Sequence, residues 1–132
     1  MNIDLLKEER IVDEHNLFCK IQISYSELGK ILRIASGMTS TAGIDGVIGI
    51  YDHELVCHEL TLFTGKISHK VFRLPFEEID SIEFKKGMLG LNYQLIVSDK
   101  KRKYKIVSTL GRKNILEQIY LKVKNDKINK AE

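Results

Sequence analysis

A chain of 132 residues, 43% hydrophobic and 30% charged, carries enough apolar material for one domain-sized core and is not composed like a disordered chain. Its formal net charge of +3 is too small to announce a nucleic-acid binder, whose usual footprint is a strongly basic, one-sided domain. The two cysteines, Cys19 and Cys57, lie outside any CxxC spacing, so no disulfide framework is expected and both read as reduced and buried.

The first 15 residues are mixed in charge and read as an arm or a short helix, with Leu5, Leu6 and Ile11 as a weak apolar stripe. They are acidic where a signal peptide would be basic and then apolar, and no apolar run approaches the roughly 18 residues of a membrane span. The expected location is cytoplasmic, with peripheral attachment to a membrane as the variant.

Residues 17–25 alternate with period two. Leu17, Cys19, Ile21, Ile23 and Tyr25 share one face and Lys20, Gln22 and Ser24 the other, the pattern of a half-buried strand. Residues 26–36 change to helical spacing through Leu28, Ile31, Leu32 and Ala35, with Ser26 as the N-cap. The small, polar tract from Ser36 to Gly43 follows as a loop.

Short strands come next. Val47–Tyr51 and Leu55–Phe63 flank a tight turn at Asp52-His53, and His69–Leu74 closes at Pro75. Ile79–Lys85 and Leu91–Val97 flank a turn bracketed by Gly87 and Gly90. Lys103–Ser108 follows a charged turn at Asp99–Arg102. Strands of this length separated by turn signals imply an antiparallel sheet or barrel. A helix from about Gly111 to Asn125 ends the pattern. It places Ile115, Leu116, Ile119, Tyr120 and Val123 on one stripe, opposite Lys113, Glu117, Lys122 and Lys124. The expected organisation is an arm (1–15), one domain (16–126) and a polar tail (127–132) that frays.

Seven antiparallel strands and one terminal helix make a mainly β fold in which the helix plugs an open end of the sheet. The run Gly46-Val-Ile-Gly-Ile-Tyr-Asp52 and the run Phe72-Arg-Leu-Pro-Phe-Glu-Glu-Ile-Asp-Ser-Ile-Glu-Phe84 carry a resemblance to the pleckstrin-homology superfold. In the second run a proline turn is followed by an Ile79-x-x-Ile82 step. The glycine pair Gly87/Gly90 and the closing helix fit the same pattern, and the chain most resembles the small bacterial PH-like proteins over residues 43–125. The resemblance implies a seven-stranded antiparallel barrel or sandwich capped by a C-terminal helix. PH domains usually carry a tryptophan in that helix; this chain has none, so Leu116, Ile119 or Tyr120 fills the place. The basic K…K/R-x-R pattern of phosphoinositide-binding members is also missing, since Lys20, Lys30 and Arg33 have a different spacing.

Chemistry is sparse. His53, Cys57, His58 and His69 lack zinc-ligand spacing, and on a strand Cys57 and His58 point to opposite faces, so neither a metal site nor a Cys–His nucleophile is expected. Glu77, Glu78 and Asp80 fall in the Pro75 turn, where solvated charge is the ordinary role. Gly87–Gly90 lacks the following Lys-Ser/Thr of a phosphate loop.

The sharpest local feature is the basic tract Lys100, Lys101, Arg102, Lys103 and Lys105, with Lys85, Lys86, Arg112 and Lys113 as prospective neighbours. With Lys30 and Arg33 it is the candidate anion or lipid surface, since each cation near an acidic membrane adds about 1 kcal/mol. The stripe Leu116, Ile119, Tyr120 and Val123 is the candidate for helix packing or an interface. The expected role is a non-enzymatic module, without cofactor or metal, that binds a protein partner or forms a homo-oligomer. Sheet edges and the 36–45 loop are the expected contacts. An anionic membrane surface is the alternative, and nucleic acid is a weaker one.

Overall fold

The computed structural model describes residues 3–24, 44–61, 64–86, 92–109 and 112–131. In chain order these form helix α1 (Ile3–Glu8) and strands β1 (Phe18–Ser24), β2 (Ile44–Tyr51), β3 (Glu54–Leu60) and β4 (Ile67–Pro75). A 3-10 turn (Phe76–Glu78), β5 (Ser81–Lys86), β6 (Asn92–Ser98), β7 (Lys103–Thr109) and helix α2 (Lys113–Ala131) follow. The expected helix at 26–36 and the loop at 36–43 lie outside the described residues.

The strands form one seven-stranded antiparallel sheet in the order β4-β3-β2-β1-β7-β6-β5. β1 is the seam. Among the described residues it pairs with β2 from Phe18 to Ile23 and with β7 at Gln22, Ile23 and Ser24, so its first residues, Phe18–Ile21, are matched to β2 alone. Among the described residues β4 and β5 are not paired, and the sheet stays open. The result is a PH-like sandwich capped by a C-terminal helix.

The alternation read in β1 sets the core: Cys19, Ile21 and Ile23 face inward with Ile48 and Ile50 of β2, Leu55 and Cys57 of β3, and Leu95, Val97 and Ile106 of the other half. Phe72 of β4 meets Tyr104 of β7 with ring centroids 4.6 Å apart, which joins the two halves across the interior. α2 closes the open end with Leu116, Ile119 and Val123, all fully buried. Each such side chain contributes about 1.5–3 kcal/mol by leaving water. Of the three helix residues Leu116, Ile119 and Tyr120, the first two are fully buried and Tyr120 stays half-buried.

Three features depart from the sequence pattern. α2 runs on to Ala131, six residues past the expected end at Asn125, with no proline or glycine to stop it; Lys127 Nζ donates to the Ile79 carbonyl and ties this last part to the body. Ile79 belongs to no strand: its N–H closes the 3-10 turn on Phe76 O, and its side chain is buried. The N-terminal arm is a structural layer. Leu6, Ile11 and Val12 are fully buried against Val47, Val56 and Leu60 on the outer face of β2 and β3.

The Asp52-His53 turn has φ of 45° and 66°, so both central residues are left-handed, as a two-residue type I′ hairpin demands. Neighbouring segments hold it there. Asp52 N–H donates to Asp13 Oδ2 (3.1 Å), and Phe76 N–H donates to His53 O (2.9 Å).

Candidate binding surfaces

The open sheet leaves two edges, and they are built differently. The β3–β4 ladder shifts register twice, at Cys57/His58 and His58/Leu60, which bends that edge out of line. Arg73 of β4 is engaged with Glu54 (3.3 Å) and with the Arg10 carbonyl (2.6 Å), so the arm is fastened to this edge. β5 carries no such device. It pairs with β6 in unbroken register from Ser81↔Ser98 to Lys86↔Tyr93, and among the described residues it has no other strand partner.

β5 also presents an aromatic strip. Ser81, Glu83 and Lys85 are exposed on one face; Ile82 and Phe84 are half-buried on the other. Phe84 stacks on Tyr93 of β6 (5.6 Å, rings 6° apart) and on Tyr120 of α2 (5.8 Å, 28°). Lys113 places its ammonium 5.3 Å from the Tyr93 centroid and Lys124 places its own 5.3 Å from the Tyr120 centroid, and Lys124 Nζ also donates to the Tyr120 hydroxyl (2.9 Å). Sequence reading missed this strip. The available signal was the pair of adjacent strand patterns that carry Phe84 and Tyr93, and the β5–β6 register sets Tyr93 diagonally across from Phe84.

The basic turn is ordered by its one acid. Asp99 Oδ1 accepts from the backbone N–H of Lys101 and of Arg102, both at 2.7 Å, and Asp99 N–H donates to Arg102 O (3.0 Å). These two N–H donors, and then the Arg102 and Lys101 charges, hold the Asp99 carboxyl below its usual range. Lys100, Lys101, Arg102 and Lys103 are exposed around the turn, and Lys105 is exposed on the outer face opposite Ile96. Asp80 N–H donates to Ser98 O (2.7 Å), which brings the acidic 77–80 segment to the base of the turn. Arg112 and Lys113 lie past the other end of β7, roughly 20 Å away at the rise of a strand. Lys30 and Arg33 lie outside the described residues.

Arg112 instead lines an open groove of about 530 Å³ on the outer face with Lys20, Asp45 and Asn92. The mixture of charges gives it no single electrostatic character.

The cysteines and histidines are dispersed. Both cysteines are free and buried; burial pushes the Cys57 thiol far up and raises Cys19 too, despite Ser108 and Arg112 nearby. His58 Nδ1 lies 3.2 Å from the Ser68 carbonyl, while Cys57 faces the core on the opposite side of β3. No group of three or more metal-ligating side chains occurs among the described residues. Among the described residues no helix is long and apolar enough to cross a membrane. Of the helix stripe, Leu116, Ile119 and Val123 are spent in the chain's own core, while Tyr120 and Ile115 are half-buried. No protein-family model and no curated protein sequence matches this chain.

Proposed function

We propose that this protein is a non-enzymatic binding module that takes an extended segment of a protein partner as an additional strand on the edge of β5. The supporting observation is the regular β5 edge, unpaired among the described residues, beside the half-buried Phe84–Tyr93–Tyr120 strip. Strand addition draws affinity from main-chain hydrogen bonds and specificity from alternate side chains. Here the alternation offers an aromatic surface on one face and Glu83 and Lys85 on the other.

A selection of random peptides against the protein, followed by amide exchange, tests the reading. Bound peptides are expected to slow exchange at Ser81–Lys86 and to lose affinity in Phe84→Ala. Protection that falls on the 99–105 turn, or on the β4 edge, would transfer the function there.

The second reading is attachment to an anionic membrane through Lys100, Lys101, Arg102, Lys103 and Lys105. It is favoured by the Asp99 clamp, which orders the turn with its cations exposed. Co-sedimentation with vesicles containing phosphatidylserine should then fade with salt and in Lys100→Glu/Arg102→Glu. Binding that ignores both changes would dismiss it.

A further inference from the structure

We infer that β5 pairs antiparallel with β5 of a second copy of this chain, in the register centred on Phe84. The inference rests on the β5-edge reading and names its partner.

Geometry limits the choices. Two antiparallel edges that continue one sheet are related by a two-fold axis perpendicular to it, so outer-face residues oppose outer-face residues. Only registers centred on a residue satisfy this. Centring on Glu83 sets two carboxylates directly opposite each other, and centring on Lys85 sets two ammonium groups opposite. Centring on Ile82 opposes Glu83 to Ser81 and Phe84 to Asp80, with no complementary charge. Centring on Phe84 opposes Glu83 of each copy to Lys85 of the other, twice by symmetry. Like charges directly opposite are destabilising and unlike ones stabilising, so the Glu-Phe-Lys order selects one register and rejects its neighbours.

The structure leaves these residues available. Glu83 and Lys85 are exposed, their opposites on β6 are the uncharged Ile96 and Gln94, and neither is held in an ion pair among the described residues. On the other face the same register brings the two Phe84 rings together and joins the strips of both copies through the axis. Ile82 falls opposite the Lys86 stem. The Phe84 and Ile82 surfaces left half-buried in one chain are thereby covered.

Light scattering and sedimentation velocity on the full chain test this by charge reversal. Wild type is expected to show a concentration-dependent doubling of mass. Glu83→Lys and Lys85→Glu should each weaken self-association at least about tenfold, because every opposed pair becomes alike. An equimolar mixture of the two variants should recover the dimer, since every Lys then faces a Glu; so should the double variant Glu83→Lys/Lys85→Glu alone. Recovery also shows that the single variants are folded. A wild type that stays monomeric, or a dimer indifferent to both reversals, overturns the inference. If that monomer's Ser81–Lys86 amides are still protected by a selected peptide, only the self-pairing falls and the β5-edge reading stands.

Discussion

The backbone of β2 at Gly49 runs directly beneath Ile11: a Cβ on Gly49 would stand 2.7 Å from the Ile11 carbonyl oxygen and 3.1 Å from Val12 Cγ2. The first of these neighbours is backbone and cannot rotate away, so the arm itself must lift. Gly49→Ala is expected to cost about 1–3 kcal/mol, the usual toll of overpacking. Urea unfolding measures it. The released arm would also expose Val47 and Val56, so binding of a hydrophobic dye should rise in the native baseline. An unchanged midpoint would mean that the arm does not bear on β2 in solution.

The closing helix holds the open end by few side chains. Ile119 is fully buried among residues from both halves of the sheet. Ile119→Ala removes that contact and leaves a cavity, so a loss of about 2–5 kcal/mol is expected. Leu121, 44% exposed two residues along, is the matched control, and its alanine variant should move the urea midpoint little. Equal losses from the two would show that the helix stripe is docked differently.

Both thiols are expected to be silent towards a disulfide reagent in the native state. Cys57 faces the core from β3, Cys19 from β1, and burial raises each thiol, so little thiolate forms and none is reachable. Labelling should follow unfolding, with both sites reacting once denaturant exceeds the midpoint. Rapid labelling of Cys19 alone would point to opening at the β1–β7 seam, since Cys19 lies on the part of β1 that β7 does not pair with among the described residues.

Much of this architecture was readable in the chain because its information is local. Period-two alternation places Cys19, Ile21 and Ile23 inside, the Asp52-His53 pair marks a hairpin, and the spacing of Leu116, Ile119 and Val123 fixes which side of the helix docks. What escaped depends on contacts between distant segments. Leu6, Ile11 and Val12 follow no sustained period; they are buried because β2 offers a glycine slot some 40 residues later. Ile79 fits a strand pattern, yet the chain must cross from β4 to β5 there, and the 3-10 turn uses it as a core plug. The basic tract was visible, but not the Asp99 clamp that shapes it. The aromatic strip needed strand register and helix placement together.

Acid should weaken the fold in two separate windows. Burial lowers the His58 pKa, as do the charges of Arg73 and Lys70, and together they outweigh the Ser68 hydrogen bond and Glu9. The folded state thus prefers neutral His58, and the unfolded chain takes up the proton more readily. This contribution is full above the unfolded value of about 6.5, is lost as pH falls from there to the folded value, and changes no further below it. Asp13 follows the carboxylate case. Burial raises its pKa, but the His15 and Asp52 N–H donors and the His15 ring outweigh it, and the net shift is downward. Its contribution is present above the unfolded value near 3.8 and is lost as pH falls through the lower folded value. Urea midpoints should therefore decline as pH falls below about 6.5, level off, and decline again below about pH 4. His58→Gln should flatten the first decline and leave the second, and Asp13→Asn should do the reverse. A first decline of the same slope in His58→Gln would assign it to another histidine.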